Sequence, residues 1–346
     1  MARILLSAPD DRPSSWGRHL EVALRELNQE VRFLDFRSCE EPDEELLDAA
    51  RYFGPVLHVA WKGERYSAEA LRELSENGVF VVLWHPDASC PDWLPPLAAA
   101  ADLCCVQSRG MLEKFEAAGI RGAHWLLEGL TPSCFACGEM GPADRREYGC
   151  DVVTVGTVDR HPGYLQRLHA LNRLISEGFR VKWWGRKLSF RRNHLRDYLS
   201  PAARAFGGRK VWGETYAKAC RAAAIFLTIP REPELPGGLS NRALWVTGLG
   251  CFYLSLYRQG IEEFFELGRE IEVFHNEDEM VAKVRYYMAH EEEREQIARA
   301  GQRRTLGNYT NHHAFCHLFR LVRQAGGPDI RVPESVVAGF LHPQET

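Results

Sequence analysis

Residues 236–274 read PGGLSNRALWVTGLGCFYLSLYRQGIEEFFELGREIEVF, and a helical pattern continues from there to Arg303. The order is a glycine-broken turn, a short helix, an apolar strand, a loop, a second strand and a long helix. Gly237 and Gly238 give a backbone free to approach a ligand, and Ser240 or Asn241 can cap a helix that starts near Asn241. The mouth of such a helix presents unpaired N–H groups and the positive end of its dipole, which suits an anion such as a diphosphate. On local features alone, an ordinary capped helix after a strand reads the same way.

The rest of the chain supplies the context. Before this stretch, short apolar runs alternate with amphipathic helices. Strands are expected at Arg3–Ala8, Val31–Phe36, Val56–Trp61, Val79–His85, Leu103–Ser108 and His124–Leu130, with helices between them. Val79–His85 is almost unbroken in apolar residues, as in a strand buried on both faces. A second series runs Asp151–Gly156, Arg180–Gly185, Ile225–Ile229, Phe252–Ser255 and Glu270–Phe274. Strands and helices alternating at this spacing predict parallel, doubly wound sheets. Pro132, Gly138, Gly141 and Pro142 interrupt the pattern. The expected division is therefore an N-terminal Rossmann-like domain over 1–135, a linker over 136–150, a second Rossmann-like domain over 151–325 and a tail over 326–346. Ligands of open α/β folds bind at the carboxyl ends of the strands, so a cleft between two such sheets is the expected site.

Composition excludes several classes. The chain has 346 residues, 45% hydrophobic and 26% charged, enough for two domains with cores of their own. A formal charge of −4 gives no global case for nucleic acid or an anionic membrane. Met1-Ala2-Arg3 leads straight into a strand pattern, and the most apolar run, Leu94–Val106, is too short to span a bilayer. Ten cysteines without a signal peptide point to a reducing, cytoplasmic setting. Cys134 and Cys137 have metal-like spacing, but no second pair follows to complete a zinc site. His312-His313 and His317 offer an i, i+4 helical pair, but no third ligand goes with it, so metal is not the expected role there either.

Several residues resemble the C-terminal half of GT-B glycosyltransferases, especially the spore-maturation CgeB-like group within the group 1 glycosyl transferases. They are Asn241-Arg242, the strand Gly250–Leu254, Glu262-Glu263-Phe264-Phe265 and Gly268–Ile271, followed by the helix Asp278–His290. The resemblance is specific over 236–310 and looser over the whole chain. It implies a GT-B fold and a metal-independent transferase using a nucleotide-diphospho sugar of the UDP, GDP or dTDP type. The donor would lie on the second domain and an unidentified acceptor over the first: a glycan, a protein, a small molecule or a modified nucleobase.

Residue by residue, the diphosphate candidates are Gly156, Arg186, Lys187, Gly237, Gly238, Ser240, Asn241 and Arg242. Arg186-Lys187 follows a strand, so both residues sit at its carboxyl end, although a solvated loop gives the same pattern. Trp212, Gly213 and Glu214 resemble the family's loop beside the nucleoside, and Trp245 lies one helical turn beyond Arg242. For an acceptor-side base the candidates are His85 and Asp87, after the strand Val79–His85, and Asp11 in the first strand-to-helix loop.

One departure stands out. Retaining enzymes of this fold often carry two glutamates with seven residues between them, the second on the ribose hydroxyls. Here those positions hold Gly237 and Trp245. Glu232 or Glu234 substitutes, the donor is held differently, or the chain binds without turnover as a scaffold. A nucleotide-sugar epimerase is the remaining alternative, and it would need further acids. Absence of the pair leaves the stereochemistry open.

Overall fold

The computed structural model describes residues 1–10, 16–87, 89–158, 162–186, 188, 198–230 and 238–341, the side chains of 162–163 and 338–341 excepted. It divides into two compact units. The first holds Met1–Thr131 and the chain from Leu306 onward, with Gly238 and Leu239; the second holds the rest of the described chain from Pro132 to Thr305.

In the first unit six strands form one wholly parallel sheet: β1 (Arg3–Ser7), β2 (Glu30–Leu34), β3 (Leu57–Trp61), β4 (Phe80–His85), β5 (Leu103–Val106) and β6 (His124–Trp125). Their order is β2-β1-β3-β4-β5-β6, so the direction of winding reverses between β1 and β3. Alternate residues of each strand feed two separate cores. Ile4, Leu6, Val59, Val82 and Trp84 pack on one face, and Leu5, Ala60, Val81 and Leu83 on the other. That two-sided burial is why these strands are apolar without alternation. Helix starts follow local chemistry: Ser67 accepts a hydrogen bond from the Ala70 amide at 3.1 Å and opens the helix Ala68–Glu76.

The second unit has five parallel strands: β7 (Cys150–Val155), β8 (Val181–Trp184), β9 (Ala223–Thr228), β10 (Tyr253–Leu256) and β11 (Glu272–Phe274). Their order, β11-β10-β9-β7-β8, reverses between β7 and β9. One face is a mixed core, with Leu168, Leu171, Ile225, Leu254 and Val284 beside Trp183, Phe252 and Phe274. The other is aromatic, with Phe135, Tyr216 and Trp245 packed ring on ring.

Three differences from the sequence reading have clear causes. The strand expected at His124–Leu130 stops at Trp125, because beyond it Leu130 bridges to Thr310 instead. Residues 136–150, expected as a linker, contain the helix Pro142–Tyr148, whose Tyr148 is buried against Trp184 in the second unit. The helix Asn311–Gln324, expected with the second domain, packs in the first unit, where Phe315, Leu318 and Val322 join the core of β1 and β3.

Candidate functional site

Where the winding of a parallel sheet reverses, the loops after the two adjacent strands diverge and leave a crevice at their carboxyl ends. In the second unit that crevice lies past β7 and β9. The ladder between them includes Val153↔Phe226, and β7 continues to Val155, then Gly156 and Thr157.

Gly156 has φ of 151° and Gly185, just past β8, has φ of 157°. A Cβ on Gly185 would sit 2.1 Å from the Gly156 carbonyl oxygen, so only glycine permits this approach. The Gly156 amide is tied to Trp184 O at 2.8 Å. Two guanidinium groups approach the same residue: a Cβ on Gly156 would lie 3.0 Å from Arg242 Nη2 and 3.3 Å from Arg167 Nη1.

Arg242 stands in the first turn of the helix Asn241–Gly248 and donates from Nε to Val155 O at 2.7 Å. Arg167, on the helix Pro162–Ser176, donates to Ile229 O at 2.6 Å and to Thr157 O at 3.0 Å. The two cations stand roughly 6 Å or less apart, where like charges repel by a few kcal/mol at a protein-like dielectric. Among the described residues no carboxylate pairs with Arg242, and the first turn of its helix contains no acid. The N-cap, Ser240, makes no side-chain cap bond. Positive charge and helix amides therefore converge at the carboxyl end of β7, an arrangement matched to an anion.

The other candidates fall as follows. Arg186 is described and exposed at the end of β8, and Gly238 is half-buried just ahead of Ser240 and Asn241. Lys187, Gly237, Asp11, Glu232 and Glu234 lie outside the described residues. Trp212 precedes the helix Gly213–Arg221, its backbone N–H donating to Thr215 Oγ1 at 2.9 Å. Gly213 has φ of 50° and packs close to the Cys134 carbonyl. Glu214 is engaged by Lys218 at 2.9 Å.

Trp245 takes a different position from a nucleoside contact. It is 4% exposed, its ring 5.1 Å from Phe135 and 5.5 Å from Tyr216 by centroid, and so offers no free face to a base. Burial in this aromatic layer also raises the Tyr216 phenol well above its ordinary pKa.

In the first unit, His85 ends β4 and is buried, its ring against Trp93 and Phe115. Its Nε2 lies 2.7 Å from Ser89 O, and since a carbonyl only accepts, Nε2 carries the proton. Burial lowers the His85 pKa, against the raising effect of that bond. Asp87, about half exposed, pairs with Lys62 Nζ at 2.8 Å. Lys62 is a non-glycine residue at φ 76°, a strained conformation just past β3. The structure thus brings Lys62 to Asp87 and sets His85 into the packing behind them.

Sequence reasoning missed Arg167 and Lys62. For Arg167 a signal existed: it shares a helical face with Leu171 and Leu174, so a charge occupies a core-facing position. For Lys62 the left-handed φ leaves no mark in the sequence. Among the described residues no cluster of His, Cys, Asp or Glu is arranged to hold a metal. Cys137 instead accepts from Arg221 Nη1 at 3.1 Å.

These two parallel α/β sheets are those of the GT-B fold, in which residues 163–319 match the family described as Glycosyl transferase-like. Sucrose-phosphate synthase from Thermosynechococcus elongatus is similar with a TM-score of 0.67 at 13% identity, over 94% of this chain and 99% of that one. Anabaena Alr3699/HepE, in complex with UDP and glucose, gives 0.62 at 13% identity over 94% and 100%. A glycosyltransferase from Rickettsia africae ESF-5 gives 0.69 at 10% identity over 94% and 98%. At these identities the likeness carries the fold. No curated protein matches the sequence. No helix among the described residues is long and apolar enough to cross a membrane.

Proposed function

We propose that the chain is a glycosyltransferase of the CgeB-like group that takes a nucleotide-diphospho sugar on its second unit. The observation that carries this reading is the approach of Arg242 and Arg167 to Gly156 beside a helix whose first turn carries no acid. A sugar leaving a nucleoside diphosphate loads negative charge onto the β-phosphate, and fixed donors aimed there lower the barrier. Arg242, the amides at Asn241 and Arg242, and the exposed Arg186 are the groups for that task. They supply the positive charge themselves, so we read the transfer as metal-independent, and turnover that survives a chelator is its check. Gly238 and Ser240 belong to the same turn, and Trp212 with Gly213 and Glu214 is the loop for the nucleoside. The structures with UDP-bearing ligands, HepE among them, favour a UDP-type donor.

On the first unit Asp87 is the better acceptor base, because it is half exposed while His85 is buried. His85 then supports the turn through Ser89 rather than taking the proton itself.

One observation favours a second reading, a chain of this fold that binds but does not turn over. Trp245 stands in the aromatic core at the helix position where retaining relatives carry the ribose-binding glutamate. Calorimetric titration with UDP, GDP, dTDP and their sugars separates the readings. Selective binding that Arg242→Ala weakens at least about tenfold, with sugar consumption in the presence of acceptors, supports the transferase. Binding without consumption supports the second reading, and consumption of donor to an isomer without any acceptor would mark an epimerase. No nucleotide bound at millimolar concentration would refute the donor site.

A further inference from the structure

We infer that Arg167 is a positioning residue that fixes the backbone of the diphosphate turn. The inference rests on the donor reading above, and it assigns a role to a side chain that need not touch the donor.

The ladder joining β7 to β9 includes Cys150↔Ala223, Val152↔Ile225 and Val153↔Phe226, after which the strands continue to Val155 and Thr228. Thr157 and Ile229 then stand on opposite banks of the crevice, and each has a carbonyl that the ladder between the strands does not satisfy. The carbonyl of buried Ile229 needs a donor, and that of half-buried Thr157 finds one on the same group. The Arg167 guanidinium reaches both, Nε to Ile229 at 2.6 Å and Nη1 to Thr157 at 3.0 Å, and the residue is 8% exposed. A planar fork with donors at fixed angles sets the separation of two carbonyls, which a point-like ammonium does not.

Arg242 completes the clamp from the other side. Its Nε holds Val155 O, two residues before the carbonyl held by Arg167. Gly156 is therefore bracketed by two arginines through its neighbours' carbonyls, with its own amide tied to Trp184. The orientation of the Gly156 peptide, and the start of the loop after Ile229, follow from Arg167. The Tyr164 ring, 4.9 Å from the Arg167 guanidinium carbon, backs the fork.

The test compares Arg167→Lys with Val284→Ala, a core substitution in the same unit away from the crevice. Each is measured for thermal midpoint and for UDP affinity by calorimetry, with Arg242→Ala as the marker of the donor site. The expected result is a UDP affinity about tenfold or more weaker in Arg167→Lys, the scale on which small misplacements act. Val284→Ala should bind UDP like the wild type even when its midpoint falls. Wild-type affinity in Arg167→Lys, with Arg242→Ala impaired, would overturn the positioning role and leave the donor reading standing. Equal losses of affinity in Val284→Ala and Arg167→Lys would also overturn it. Should Arg167→Lys fail to fold, hydrogen exchange of the wild type decides. UDP should protect the amides of Gly156–Val158 and Ile229, and unchanged exchange there would sink the proposal.

Discussion

An alanine at Gly185 would place a methyl carbon 2.1 Å from the Gly156 carbonyl oxygen and 2.8 Å from its carbon. Non-bonded contacts of this kind need somewhat over 3 Å, so the ends of β7 and β8 would have to part by about 1 Å. Neither atom belongs to a flexible side chain that could swing aside. Overpacking of this kind costs about 1–3 kcal/mol. The φ of 157° adds a backbone penalty of about 1–3 kcal/mol for a residue with a Cβ. Together these come to about 2–6 kcal/mol, a large share of the 5–15 kcal/mol that stabilises an ordinary domain. At about 2–4 °C per kcal/mol for a unit of this size, that should lower the thermal midpoint of the second unit by roughly 4–24 °C. Gly178→Ala is the control: its φ is 90°, but a Cβ there meets nothing within 4 Å, so it carries the backbone penalty alone. Circular dichroism melts of both variants, paired with UDP titrations, give the comparison. If Gly185→Ala melts no lower than Gly178→Ala, or binds UDP unchanged, the account of the Gly156 turn is wrong.

Two further outcomes concern the first unit. Burial lowers the His58 pKa to about 3 and that of His19 to about 4, while both titrate near 6.5 once unfolded. The unfolded chain therefore takes up protons first as pH falls, so stability is full above about pH 6.5. Below that it drops by up to about 1.4 kcal/mol per pH unit for each histidine. Urea midpoints at pH 7, 6, 5 and 4.5 should decline steadily, and a flat profile would show that these rings are not held neutral. Asp87→Asn should change stability by less than about 1 kcal/mol, since its pair with Lys62 is half exposed. Turnover should fall by about a hundredfold with UDP affinity unchanged, and full retained turnover would remove Asp87 from the chemistry.

The parts legible in sequence were those set by apolar periodicity. Both sheets and nearly all strands follow from local pattern, because a parallel strand buried on two faces cannot be polar. The proposed donor turn was legible as a type of local structure. Its electrostatics were not, because Arg167 and Arg242 are 75 residues apart and meet only through the sheet reversal. Trp245 was ambiguous for a related reason: one helical turn beyond Arg242 is compatible with a site or a core, and only the positions of Phe135 and Tyr216 decide. The unit to which Asn311–Gln324 belongs was hidden as well, since an amphipathic helix does not state which sheet it covers.

That last helix bears on how the molecule is made. Asn311 Oδ1 accepts from the Gly129 amide at 2.8 Å, His312 Nε2 lies 2.7 Å from Glu26 Oε2, and Gln29 reaches Arg331 O at 3.1 Å. Residues 1–131 thus emerge from the ribosome long before the segment that completes their packing. At 5–20 residues per second their sheet waits on the order of ten seconds or more with one apolar face only partly covered, by the helix that carries Leu20 and Leu24. During that interval the second unit is synthesised whole, as an insertion into a half-finished neighbour. A truncation that removes Asn311–Gln324 would therefore injure a unit encoded well before it, and any attempt to split the chain into independent halves must carry that helix with residues 1–131.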